Sequence, residues 1–120
     1  MTRATGFAAS AVFATFTSQA HATGLDLTCS GDALNWRIAL HDMQAKMTLI
    51  DVADMDVMDD TAAMGQDWPR ALTLVGDRNT AILILDPRNC GVKATDYAAT
   101  VLTQQGQTPI LLTGCCVANE

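Results

Sequence analysis

No stretch of this chain is apolar for long enough to cross a bilayer as a helix. The longest candidate, about Phe7 to Phe16, falls short of the roughly 20 residues that ~30 Å of hydrocarbon takes. Basic residues are few, 7 against 13 acidic, for a net charge of −6 at pH 7. That balance excludes a nucleic-acid partner, whose phosphates need Lys and Arg, and adhesion to anionic lipid. There is no C-x-x-C, the spacing by which one thiolate attacks while its neighbour resolves. Nor are there ligand pairs two to four residues apart backed by histidine, as a zinc site needs. An EF-hand's D-x-D-x-D-G with a closing glutamate is missing, and no serine sits in a nucleophile-elbow context. The chain also lacks internal repeats, low-complexity linkers and a second domain.

What is present begins with an export signal. MTRATGFAASAVFATFTSQAHA has one early cation, Arg3, and no acidic residue precedes Asp26. An Ala-, Phe- and Val-rich run follows, ending in Ala20-His21-Ala22, an A-x-A cleavage pattern. The reading is a helical secretory signal over 1–22, cut after about Ala22, then a single domain over 23–120. The expected location is the periplasm or the medium, with no stable membrane anchor once the signal is gone. Loss of Arg3 makes the remainder one unit more acidic. The remaining domain, about 98 residues, is near the small end of the usual range, where disulfides are a common support.

The rest is rich in short runs of period two. In ALNWRIAL (33–40), Leu34, Trp36, Ile38 and Leu40 alternate with Asn35, Arg37 and Ala39, one face buried. QAKMTLIDV (44–52) continues the pattern, with His41-Asp42-Met43 as a tight connection between the two. RALTLVG (70–76) and RNTAILILD (78–86) flank a turn at Gly76-Asp77 and read as a hairpin. DYAATVLT (96–103) and TPILLTG (108–114) flank Gln104-Gln105-Gly106-Gln107, a second hairpin connection. DVADMDVMDDTAAMGQDW (51–68) fits neither period, and Pro69 breaks the pattern before the next strand. Six or so strands joined by turns, with little helical periodicity, predict an all-β antiparallel meander closing into a small barrel or sandwich.

Four cysteines permit three pairings. A vicinal Cys115–Cys116 bond needs a strained, turned backbone, because neighbouring side chains diverge in a strand. The other two pairings send Cys115 and Cys116 to different partners by opposite faces. We favour Cys90–Cys115, which ties the loop after RNTAILILD to the final strand, with Cys29–Cys116, which fastens the domain's start to its end.

Other clusters invite chemistry. Asp51, Asp54, Asp56, Asp59 and Asp60 form an acidic run that reads as a solvated loop, able to serve as an electrostatic face toward a basic envelope or extracellular protein. Calcium is the competing use. A metal-binding alternative joins His41 to the Met/Asp segment 43–64, with Met43, Met47, Met55, Met58 and Met64 as thioether ligands for copper(I). Methionine is also a common core filler. Trp36 and Trp68 read as core or barrel-end packing rather than a sugar platform. The hydroxyl of Tyr97 is expected to serve a local hydrogen bond. His41 with Asp42 beside it leaves a weak hydrolase as a further alternative, but without a nucleophile. No residue calls for a cofactor.

With Gly31-Asp32-Ala33-Leu34-Asn35-Trp36-Arg37-Ile38 and Leu112-Thr113-Gly114-Cys115 in view, the chain resembles a family of small bacterial envelope proteins. Those carry G-x-E-P-F-W-x-[LV] in the first strand, a later C-x-D-x-M-S followed by a Tyr-led strand, and a closing L-x-G-C. Gly31, Trp36 and Ile38 match the first element, Cys90 and Tyr97 the second, and Gly114-Cys115 the close. Ala33-Leu34-Asn35 replaces E-P-F, the Met-Ser pair and the usual lipidated cysteine are missing, and the Cys90-to-Tyr97 spacing is shorter. The resemblance implies a Cys90–Cys115 bridge and leaves Cys29–Cys116 as an additional pair. Members often occur beside, or fused to, the β-barrel inhibitor of c-type lysozyme, whose S-G-x-x-Y signature is not found in this chain. The expected function is an exported, non-enzymatic envelope module, a β-barrel that binds a protein or ligand, an inhibitor among the options. Mass spectrometry of the non-reduced protein is expected to show no alkylatable thiol; two or more would overturn both bridges.

Overall fold

The computed structural model describes residues 25–88, 90, 97–105 and 108–119; the proposed export segment 1–22 lies outside them. Eight strands run in chain order: β1 (Leu27–Ser30), β2 (Arg37–His41), β3 (Gln44–Thr48), β4 (Val52–Ala62), β5 (Arg70–Gly76), β6 (Asn79–Asp86), β7 (Tyr97–Gln105) and β8 (Pro109–Ala118). Each pairs antiparallel with the next, and β8 returns to pair with β1, so the sheet is a closed barrel. One end carries the β2–β3 and β4–β5 connections together with the outer ends of β1 and β8. The other carries the connections β1–β2, β3–β4, β5–β6 and β7–β8.

Alternation decides what goes inside. Ile38 and Leu40, Ala45 and Met47, Leu72 and Leu74, Leu83 and Leu85, Val101 and Leu112 all face inward and are buried. An eight-stranded barrel is just wide enough to be filled by side chains, and these residues fill this one. Thr103 is the sole polar residue buried among the described residues, and its hydroxyl donates to the Thr80 carbonyl at 2.8 Å. On β2, β3 and β4 the charged residues other than Asp60 face outward, where a membrane-spanning barrel carries an apolar band.

Two bridges lock the closure. Cys29 and Cys116 are directly opposite on β1 and β8, and their disulfide lies inside the core with Cα atoms 3.9 Å apart. Cys115, one residue back and on the other face, reaches Cys90 across 5.7 Å. The loops closed span 87 and 25 residues. On a loop-entropy basis these are worth about 4.6 and about 3.5 kcal/mol.

Several sequence expectations change. Leu27–Ser30 is a strand that periodicity did not reveal, because four residues hold only two inward positions. The run from Ala33 is not strand until Arg37: Ala33–Asn35 is a 3-10 turn, with Leu34 and Asn35 at positive φ. Leu34 therefore points outward, while Trp36 turns in under the barrel end. The connection between β2 and β3 is Asp42-Met43, both at positive φ, as a two-residue hairpin of the primed type demands.

The unplaced segment is mostly β4, the longest strand. Ala53, Met55 and Val57 face inward, then the register with β5 jumps from Val57–Leu74 to Asp59–Thr73. Met58 is the extra residue of a β-bulge, after which the inward positions become Asp60 and Ala62. A strand that changes face halfway shows neither period.

Trp36 plugs the end opposite the chain termini, and its indole Nε1 donates to the Thr113 carbonyl at 3.2 Å. Gly31 and Gly114 flank the ring. A Cβ on Gly114 would overlap the Ser30 carbonyl and lie 2.7 Å from the indole, so neither β8 nor Trp36 could keep its place. Gly114→Ala is therefore expected to cost about 2 kcal/mol or more, read as a lower urea midpoint at unchanged slope.

Candidate functional site

With the interior filled, the surface must carry any binding. The largest depression described, about 580 Å³, lies on the outer face of β2, β3 and β4. Its shape follows from register. Ala39 sits opposite Lys46, and Lys46 opposite Asp54, so a single methyl group stands where longer side chains would form a ridge. One row along, His41 faces Gln44 and Gln44 faces Asp56. The walls are thus His41, Gln44, Lys46, Asp54 and Asp56, with Ala45 and Met55 beneath.

Of the five aspartates singled out from the sequence, Asp54 and Asp56 are the two that line this groove. Both are exposed on one face of β4, and no described ion pair engages either. Asp51 is exposed in the turn before β4. Asp59 is exposed beyond the bulge and occupied locally: the Asp60 amide donates to Oδ1 at 2.9 Å and the Thr61 hydroxyl to Oδ2 at 3.2 Å. Asp60 does not share that face, because the bulge has turned it inward.

His41 sits at the groove's edge in a small polar network. Its Nδ1 lies 3.1 Å from Asp26 Oδ2 and its Nε2 3.2 Å from Asp42 Oδ2. Asn119 donates its side-chain amide to Asp26, and its backbone amide bonds the Asp26 carbonyl at 2.9 Å. The Thr28 hydroxyl donates to Asn119 Oδ1 at 2.7 Å. The Asn119 amide, and after it His41, hold the Asp26 carboxyl below the ordinary aspartate range. The network ties the start of the domain to its end.

The methionines do not converge. Met47 and Met55 are core residues, whereas Met58 and Met64 stand out in solvent. No three His, Cys, Asp or Glu side chains among the described residues form a metal-binding group.

At the termini end of the barrel lies an ion pair that sequence reading missed. Arg70 Nε donates to Asp60 Oδ1 at 2.9 Å, with the Asp60 side chain only 3% exposed. Asp60 holds the guanidinium even further toward its charged form. The guanidinium lies 5.7 Å from the Trp68 ring, which in turn packs on Tyr97 with centroids 5.3 Å apart. Arg70 is in phase with Leu72 and Leu74, a sequence signal that it faces inward. Asp60 had no such signal, since only the bulge aims it there. Trp68 is accordingly barrel-end packing, as its sequence context suggested, and the Tyr97 ring, expected to act through its hydroxyl, packs against it.

Compared with protein-family models, curated proteins and solved structures, the chain has no match in any of the three. Asp60→Ala leaves a mostly buried guanidinium without its partner and is expected to cost about 1–3 kcal/mol in urea unfolding. Asp54→Ala, on the exposed face, is expected to stay within about 0.5 kcal/mol of the parent.

Proposed function

We propose that this protein is an exported, non-enzymatic binding module that offers its β2–β4 groove to a basic protein of the cell envelope or the medium. The observation that carries this reading is the pairing of Asp54 and Asp56 on one exposed face beside a groove floored by Ala39. Two carboxylates on alternate residues of a strand stand about 7 Å apart, a spacing that brackets one lysine or arginine head. Lys46 borders the groove and would turn away a partner with a diffuse positive surface, so the fit favours a projecting basic side chain. The rest of the acidic excess supplies longer-range attraction, which speeds encounter more than it tightens the complex.

The two disulfides support an oxidising compartment, since such bonds persist outside the cytosol. The filled core and short connections make the face rigid, which lowers the entropy lost on binding. Because the inhibitor signature is missing from the chain, the partner is defined by chemistry, as a basic protein, rather than by kinship.

The test immobilises the oxidised protein and passes envelope extract or growth medium over it. A basic protein is expected to be retained and to elute as salt rises past a few tenths molar. The double variant Asp54→Lys/Asp56→Lys is expected to lose that retention while melting as the parent does. Absence of any salt-eluted protein, or retention unchanged by the reversal, would sink the proposal.

A further inference from the structure

The barrel has two unlike sides. On β5 to β8, the outward positions from Ala71 to Val75, Thr80 to Ile84, Ala98 to Gln104 and Pro109 to Thr113 include no charged residue. The register lines them up in rows. Thr73, Ile82, Leu102 and Leu111 are successive cross-strand neighbours, with Ala71, Ile84, Thr100 and Thr113 on one flank and Val75, Thr80, Gln104 and Pro109 on the other. Asp86 and Arg88 mark one end of this field and Asp77 and Arg78 the other. Among the described residues, every outward charge on the barrel wall thus lies elsewhere, although the chain carries −6 overall.

The same face holds a knob and a hole. Leu111 is 67% exposed, the most of any large apolar residue on it. Beside it, centred on β6 and β7 and reaching from β5 to β8, is a depression of about 230 Å³ lined by Thr73, Val75, Thr80, Ile82, Leu102 and Pro109. It is roomy enough for one branched aliphatic side chain.

We propose that this face is the interface of a homodimer, in which Leu111 of each copy enters the depression of the other. A two-fold axis lying in the interface plane, parallel to β7 and passing over Leu102, exchanges knob and hole, as an isologous interface requires. Two copies of an acidic protein repel, and the face they can bring together without apposing like charges is this one. Sheets packed face to face at about 10 Å accommodate such interdigitation. Three rows over four strands cover roughly 20 Å by 20 Å, so the interface is at the small end and the dimer is weak, with a dissociation constant on the order of 10–100 μM. Dimerisation also sets two β2–β4 grooves on opposite outer sides of the pair. It does not depend on the groove's function.

Sedimentation equilibrium of the oxidised protein, expressed from its full coding chain, from 5 to 500 μM tests this. Mass is expected to rise toward twice the monomer, and association to strengthen with salt, since salt screens the mutual repulsion. That is the opposite sign to binding of a basic partner, so the two proposals fail separately. Leu102→Asp/Leu111→Asp is expected to weaken association at least tenfold. Ile82→Lys is the second variant should the first lose its melting transition, and Asp54→Ala is expected to leave association unchanged. A monomer throughout the range, or a dimer undiminished in a folded variant, overturns the proposal. Co-sedimentation of a non-associating protein with neutral phosphatidylcholine vesicles also overturns it, with lipid as the occupant instead.

Discussion

Closure of the sheet through β1 and β8 is the constraint on which everything else rests. β1 has four residues and cannot hold a seam by hydrogen bonds alone, so the bond between Cys29 and Cys116, inside the barrel and directly across the seam, makes the closure permanent. Once the sheet is closed, side chains on its inner face are apolar or, like Thr103 and the Asp60–Arg70 pair, hydrogen-bonded. The Cys90–Cys115 bond adds a second constraint from outside, holding the β6–β7 connection against β8. Trp36 seals the far end, and the close approach of Gly31 and Gly114 makes room for it.

A filled lumen pushes function onto the wall, and the wall is divided. β2 to β4 carry Arg37, Lys46, Asp54, Asp56 and Asp59 outward, while β5 to β8 carry threonine, alanine and branched aliphatics. The bulge at Met58 sharpens the division. Before it, aspartates at even positions face solvent; after it, the same parity faces inward, so Asp60 joins Arg70 in the barrel's mouth instead of extending the acidic row. One inserted residue thereby converts a would-be surface charge into a packed ion pair. It also confines the acidic groove to the half of β4 that pairs with β3.

Strict alternation made much of the fold legible. RALTLVG, RNTAILILD and the β7 and β8 runs appear where short β-type runs flanking turn residues placed them, although Ile82–Leu85 is apolar on both faces. That Cys115 and Cys116 take different partners was legible from alternation, since adjacent cysteines on a strand leave by opposite faces; which of them meets Cys90 was a preference, and the structure bears it out. What escaped was whatever departs from a single uninterrupted period. β1 is too short to show one, β4 changes face at Met58, and the stretch before Trp36 breaks into a 3-10 turn with positive φ at Leu34 and Asn35.

The candidate site divides along the same line. An acidic segment with an even spacing of aspartates is visible in one dimension, so Asp54 and Asp56 could be named in advance. The sequence alone determined an all-β chain, its strong strands and its acidic balance, because these follow from composition and the two-residue repeat. Tertiary structure alone decided that Ala39 lies across Lys46 from Asp54, that His41 borders the same groove and that Asp60 leaves the aspartates for Arg70. It also decided that the apolar positions of four separate strands fall in rows on one uncharged face. Each of these depends on register across neighbouring strands, and register is set by where turns, bulges and bridges stop the strands from sliding, which no single strand's pattern records.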